Sequence, residues 1–289
     1  MARILAKKQF KKLPVVDGDG RLVGVIRRIP YIAIRKAREA GFLRCSAPIC
    51  AKRWNFNDLG MGVTKQRTST NVCSVAVTQD GSCFFEKEDH SGPNHAERLG
   101  SFVDEALSFT DNHAIPLDAV AVSCGPGSYT GLRIGVSMAK GICYGRGLKL
   151  IGVPTLELLC VPVLLQEMVR EEDALLCPML DARRMEVYSQ LFDRSLHEVR
   201  PIHADVVDGD AYKAYLDEHP VYFFGNGALK CKDVINHPNA HFIKGIEPIA
   251  KNMLPLAEKR MAQEQFEDVA YFVPFYLKNF VAKLPRKLL

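Results

Sequence analysis

The sequence predicts an α/β protein of two related halves with mixed sheets, preceded by a basic N-terminal extension. Three features point there. From Thr68 onward, short apolar runs of strand length alternate with segments of helical length and periodicity. The alternation runs twice: one block opens on antiparallel strands and goes on to helices and strands, and a second block, from Leu175, opens in the same way, as an internal duplication would. Charge separates the extension from the body, because residues 1–67 hold 16 Lys/Arg against 4 Asp/Glu while residues 68–289 hold 22 against 29.

The 289 residues suffice for two modest domains, and 47% hydrophobic with 25% charged residues is the balance of a soluble globular protein. No run of 18 apolar residues offers a membrane span, and Met1 to Lys12 is basic without the apolar centre of a signal peptide, so a cytoplasmic protein is expected. Nine cysteines without a C-x-x-C pair fit reduced, buried thiols better than a disulfide framework or a zinc site. A basic arm can touch nucleic acid electrostatically, although such charge is more often a solvated face. The body shows no run of cations that would bind RNA unaided.

Taken in order, Leu13 to Val16 and Leu22 to Ile26 flank an Asp-Gly turn and read as a hairpin. Residues 27 to 62 carry little periodicity beyond a candidate short helix, Ala33 to Ala40, and read as loosely structured. In the body, Asn71 to Val77 and Ser82 to Glu86 form a hairpin across Asp80-Gly81. Asn94 and Glu97 make a capping box for a helix from His95 to about Phe109, whose apolar face is Leu99, Phe102, Val103, Ala106 and Leu107. Asp118 to Ser123 is a strand, followed by a glycine turn, a helix, the strand Leu148 to Val153 and a helix opened by Pro154 with a bend at Pro162. The second block has strands Leu175 to Asp181, Met185 to Asp193 and His197 to Ile202. A helix over Asp210 to Glu218, a strand Val221 to Gly225, a turn at Asn226-Gly227-Ala228 and a helix from Ile249 to Gln263 complete it. The expected boundaries are 1–66 for the extension, 67–155 for the first subdomain and 156–289 for the second with the C-terminal tail.

The turn Gly125 to Arg133 is the most informative stretch. Glycines around Pro126 allow a sharp exit from the strand, and Ser128 or Thr130 opens the helix. A helix start presents N–H groups to anions, which makes Gly125, Gly127, Ser128, Thr130 and Arg133 candidate nucleotide or anion contacts. A tight turn without a ligand explains the same residues equally well. Neither a P-loop nor the dinucleotide G-x-G-x-x-G fits its spacing. In the helix, Arg133, Ser137, Lys140 and Tyr144 make one polar stripe, while Gly131, Gly135 and Ala139 form a ridge without bulk. Nearly the whole circumference asks to be covered, one side by the helix's own sheet and the other by a second helix from this chain or a partner.

Five ordered motifs resemble the TsaB, or YeaZ, family: Thr68-Ser69-Thr70 before Ser74-Val75-Ala76-Val77; His95 with Glu97-Arg98-Leu99; Gly125 to Arg133; Ile151-Gly152-Val153-Pro154-Thr155-Leu156; and Leu180 to Tyr188. The tail, Tyr271 to Leu289, is similar to the end of members from Bacteroidetes-type bacteria. The resemblance covers about residues 68–289 and implies an actin-like ATPase fold (ASKHA, RNase H-like) of two subdomains. It implies a non-catalytic subunit that pairs with TsaD, the paralogue that acts on tRNA, to form threonylcarbamoyl-adenosine beside the anticodon. TsaE is implied as a further partner, and tRNA is met indirectly through the complex. Pairing is implied through His95, Leu99, Phe102, Val103 and Ala106 of one helix and Gly131, Gly135, Met138, Ala139 and Ile142 of the next, with a homodimer as a second arrangement. No cofactor is required, and ATP or ADP is expected only at the TsaD junction.

Other chemistries find little footing. A TsaD-like metal site needs two histidines four apart on a helix, and here His95 is followed by Leu99, so no metal is expected. There is no H-E-x-x-H and no nucleophile elbow for a peptidase. The alternative function is an ASKHA-type phosphotransferase or ATPase, gripping phosphates at the two glycine turns with Asp181 on Mg²⁺; Asp181 beside Arg183 and Arg184 is as readily a structural ion pair. The N-terminal hairpin resembles half a CBS motif, too little for a nucleotide site. One departure from the family stands out: an apolar strand ending in an acidic residue normally precedes Thr68, whereas Lys65-Gln66-Arg67 stand here. Either that strand starts late, or residues 1–67 are a foreign segment joined by fusion or frame error.

Overall fold

The computed structural model describes residues 12–16, 22–27, 59–65, 72–90 and 95–278, with side chains from 72 to 90 and from 98 to 278. The chain divides into a unit Met1–Trp54 and a unit Asn55–Leu289. In the first, β1 (Lys12–Val16) and β2 (Leu22–Arg27) pair antiparallel with Lys12 opposite Arg27, as the hairpin pattern implies. The expected short helix Ala33 to Ala40 and the capping Asn94 lie outside the described residues.

The second unit holds two five-stranded sheets with one strand order. The first is built from β3 (Leu59–Lys65), β4 (Cys73–Gln79), β5 (Ser82–Asp89), β6 (Ala119–Gly125) and β7 (Lys149–Pro154), in the order β5-β4-β3-β6-β7. The second is built from β8 (Leu175–Asp181), β9 (Glu186–Phe192), β10 (Glu198–Val206), β11 (Val221–Phe224) and β12 (Ala240–Ile243), in the order β10-β9-β8-β11-β12. In each, three antiparallel strands are followed by two parallel ones, so the duplication read from the sequence is a duplication of topology, the mixed-sheet arrangement of the actin-like fold.

The central strand of the first sheet corrects the sequence reading. The sequence pattern leaves residues 27 to 62 loosely structured, yet Leu59–Lys65 pairs antiparallel with β4 and parallel with β6. The strand that the family pattern places before Thr68 is therefore present and ends at Lys65, ahead of Gln66 and Arg67.

Helices cover both faces of the first sheet. The helices α1 (His95–Asn112) and α2 (Tyr129–Arg146) bury Leu99, Val103, Ala106, Val136, Ala139 and Cys143 against Val75, Val77, Val120 and Val122. On the opposite face, reached by the alternate residues Ala119 and Ala121 as the period of two requires, lies α3 (Thr155–Leu165). It is apolar all round because both sheets use it: Leu158 and Val161 face the first, while Leu156, Leu159, Cys160 and Val163 face Leu176, Leu180 and Phe224 of the second. Pro162 is accommodated within the helix, which runs on to Leu165.

The second half carries the short helices α4 (Lys213–Leu216) and α5 (Ala228–Cys231). A 3-10 turn, Ala250–Met253, leads into α6 (Leu254–Ala262), which returns to the first sheet through Leu256. Among the described residues no helix is long and apolar enough to cross a membrane.

Candidate functional site

Helix α2 sets the geometry of the surface with most to offer a partner. It opens where Ser128 caps it, its hydroxyl accepting the N–H of Gly131 at 3.3 Å, and it ends at Gly147, whose φ of 67° lets its N–H reach the carbonyl of Cys143. Leu132, Val136, Ala139 and Cys143 recur at i, i+4, i+7 and i+11 and point into the core. A second stripe of the same spacing, Ile134, Met138, Gly141 and Gly145, lies on the far side. It lines an open groove of about 730 Å³ together with Val103 and Leu107 of α1. Arg133, Ser137 and Arg146 give the groove a polar rim, and Arg146 closes one end by gripping Asp111 of α1 with two bonds of 2.7 Å. The hydrogen bonds of Arg146 hold the Asp111 carboxyl below its usual pKa and raise that of the guanidinium, so the clasp is ionised at neutral pH.

Part of the expected pairing surface therefore belongs to the core. Leu99, Ala106 and Ala139 pack in the core cluster, and Gly131 and Gly135 are buried within the chain. Val103, Met138 and Ile142 do line the groove, and Phe102 is half-buried against the core. His95 stands at the first position of α1. The outward ridge is Gly141 and Gly145, where a Cβ would meet nothing within 4 Å, and the sequence reading missed it. Its signal was legible: the four residues share the period of the inner stripe and lie opposite to it.

The glycine turn is occupied by the chain itself. After a turn that follows Asp268 the chain runs past β7 and β6: Phe272 packs over Gly152, where a Cβ would come within 3.0 Å of its ring, and the N–H of Phe275 donates to the carbonyl of Cys124 at 2.8 Å. Gly125 has φ of 120°, and a Cβ there would lie 2.4 Å from the carbonyl oxygen of Phe275. Lys140 ties the same segment to α2 by donating to the carbonyls of Ala270 and Phe272 at 2.9 and 3.0 Å. Tyr276 then packs on Tyr129 with ring centroids 4.7 Å apart, and the Arg133 guanidinium lies 5.5 Å from the Tyr129 centroid. The candidate anion contacts Gly125, Gly127, Ser128, Thr130 and Arg133 thus do not form an open phosphate cradle: the hydroxyl of Ser128 caps its own helix, and the backbone at Gly125 faces the tail.

The second glycine turn is closed in the same manner. Gly225, with φ of 94°, lies beneath the carbonyl of Met179, and the Asn226 side chain accepts the N–H of Asp181 at 3.1 Å. Lys230 takes the Asp181 carboxylate and also donates to the carbonyls of Arg184 and Glu186 at 2.6 and 2.7 Å. Asp181 is thereby a structural ion-pair partner at the base of the β8–β9 hairpin. At the tip, Arg183 and Arg184 hold φ of 73° and 52°, a region costing about 1 kcal/mol for each non-glycine residue.

A family model described as TsaD, tRNA N6-adenosine threonylcarbamoyltransferase, matches residues 89–286. The TsaB protein of Escherichia coli, named as a tRNA threonylcarbamoyladenosine biosynthesis protein, is 29% identical over 238 residues, covering 76% of this chain and 96% of its own. The Bacillus subtilis protein of the same name is 30% identical, covering 58% of this chain and 72% of its own. Among solved structures, YeaZ from Pseudomonas aeruginosa superposes with a TM-score of 0.60 at 21% identity, over 76% of this chain and all of that one. Motif order, duplicated sheet topology and these likenesses agree: the chain belongs to the TsaB (YeaZ) family, within the wider TsaD group.

Proposed function

We propose that this chain is a TsaB-type subunit that pairs with a TsaD protein and supports threonylcarbamoyl-adenosine formation on tRNA without chemistry of its own. The observation that carries the reading is the apolar groove between α1 and α2. It presents Ile134, Met138, Leu107 and two glycines to solvent in a pattern suited to a packed helix, and glycines at i and i+4 let a partner backbone come close. An inert role is supported by what the two glycine turns already hold: one the tail, the other a lysine-neutralised carboxylate. ATP or ADP bound by the assembled complex is assigned to the junction with TsaD. TsaE joins that complex in this reading, and a homodimer over the same groove is the state expected when TsaD is absent.

Co-expression with the TsaD of the same organism tests it. A one-to-one complex is expected by size-exclusion chromatography with light scattering, and the lone chain is expected to turn over no ATP above background. Turnover by the lone chain without TsaD binding would overturn the proposal in favour of an ASKHA-type ATPase or phosphotransferase.

A further inference from the structure

Cations that are scattered in the sequence come together on one surface. The tail residue Tyr276 packs against Tyr129 with the rings tilted by 36°, and Arg133 lies over the Tyr129 ring. Two residues on, Lys278 pairs with Glu186 at the start of β9, and Tyr188 lies within the field of Lys278, Glu186 and Arg183. Beyond Glu186 the hairpin tip presents Arg183 and Arg184, both exposed and neither in an ion pair among the described residues. In order from α2 to the tip stand a guanidinium, two tyrosine rings, a lysine paired with Glu186, then two guanidinia.

Two details separate this strip from an ordinary solvated face. Each carboxylate at its base is neutralised from within, Asp181 by Lys230 and Glu186 by Lys278, which leaves the two arginines uncompensated on a body that is acidic overall. The tip also holds both arginines at positive φ, where glycine would sit without strain, and the N–H of Arg183 is fixed by the Asp181 carboxylate at 2.9 Å. The turn geometry gives no reason for two arginines there.

We infer that the strip from Arg133, Tyr129 and Tyr276 to the Arg183-Arg184 tip is a direct contact surface for RNA, with the guanidinia on phosphates and the tyrosines beside unpaired bases. Planar guanidinia suit phosphate oxygens, and the half-buried rings of Tyr129 and Tyr276 offer aromatic surface to the bases of single-stranded loops. The inference rests on the proposed role in tRNA modification and adds to it a contact made by this chain itself.

The test uses the full chain, alone and with TsaD, and an unmodified tRNA transcript. The double variant R183G/R184G removes both cations while placing glycine at the two positive-φ positions, so its melting temperature is expected to stay level or rise. Wild-type pairing with TsaD is measured first, since its absence breaks the functional proposal whatever the strip does. With pairing unchanged, the variant complex is expected to bind the transcript about tenfold more weakly, and the dependence of log affinity on log salt is expected to flatten by about 1.5. Photocrosslinking of a thiouridine-bearing transcript to the peptides holding Tyr129 or Tyr276 is expected for the complex, and also for the lone chain if pairing fails. Unchanged affinity and salt slope, or no crosslink in either setting, overturns the inference. Lost pairing at unchanged transcript affinity overturns it too and assigns the tip to a protein partner.

Discussion

Burial distinguishes the two glycine ridges of α2. At Gly141 a Cβ would meet nothing within 4 Å, whereas Gly135 is buried. Gly141→Leu is expected to leave the melting temperature unchanged and to weaken pairing with TsaD by about tenfold or more, as a side chain fills the space a partner helix needs. Gly135→Leu overpacks the core and is expected to cost about 1–3 kcal/mol, read as a lower melting temperature. The reverse result, with Gly135 controlling pairing and Gly141 tolerant, would move the interface off this groove. The sequence displays three stripes of one spacing on this helix, beginning at Leu132, Arg133 and Ile134. Periodicity alone says that each is a face, and only the position of the sheet says which face is inside.

The β9–β10 ribbon and the start of α4 share one half-buried carboxylate. Asp205 accepts from Tyr212 at 2.7 Å and from Arg200 at 2.6 Å, and the Ser189 hydroxyl donates to it as well. Burial pushes its pKa up, but these donors outweigh burial and hold it below the usual value of 3.8. A carboxyl depressed in the folded state contributes stability above its unfolded pKa and loses it as pH falls through the folded value. Asp205→Asn is therefore expected to cost about 1–3 kcal/mol at neutral pH, because it leaves Arg200 without its charge partner. It is also expected to flatten the stability curve below about pH 4; denaturant melts between pH 3 and 7 that keep the wild-type acid limb would remove Asp205 from this role. The same network explains why the helix expected over Asp210 to Glu218 shrinks to one turn. Tyr212 stands at φ of 66° with its hydroxyl on Asp205, and that conformation cannot belong to a continuing right-handed helix. A tertiary hydrogen bond of this kind leaves no local trace in sequence.

The two five-stranded sheets also show how far the chain declares its architecture. The antiparallel openings, the glycine turns and the parallel strands after them were legible because each has a short-range pattern. The central strand β3 was not: Leu59–Lys65 contains two glycines and ends in Thr64-Lys65, so it lacks the unbroken apolar run that marks strands such as Ala119–Gly125. Its position is given by pairing on both sides, with Leu59 to Lys65 opposite Gln79 to Cys73 and Gly60 to Val63 beside Ala119 to Val122. That placement predicts where the chain can be cut. A chain starting at Asn55 keeps β3 and is expected to fold and to pair with TsaD as the full chain does, because Met1–Trp54 forms a separate unit. A chain starting at Gln66 loses the strand that joins β4 to β6, and with it the backbone hydrogen bonds on both of its sides. Total stability for such a domain is about 5–15 kcal/mol, less than the loss of a central strand is expected to remove, so this second chain should be unfolded by circular dichroism and proteolysis. A folded chain lacking β3 would show that another segment fills the centre of the sheet, and would place the start of the family domain after Thr68 rather than before Leu59.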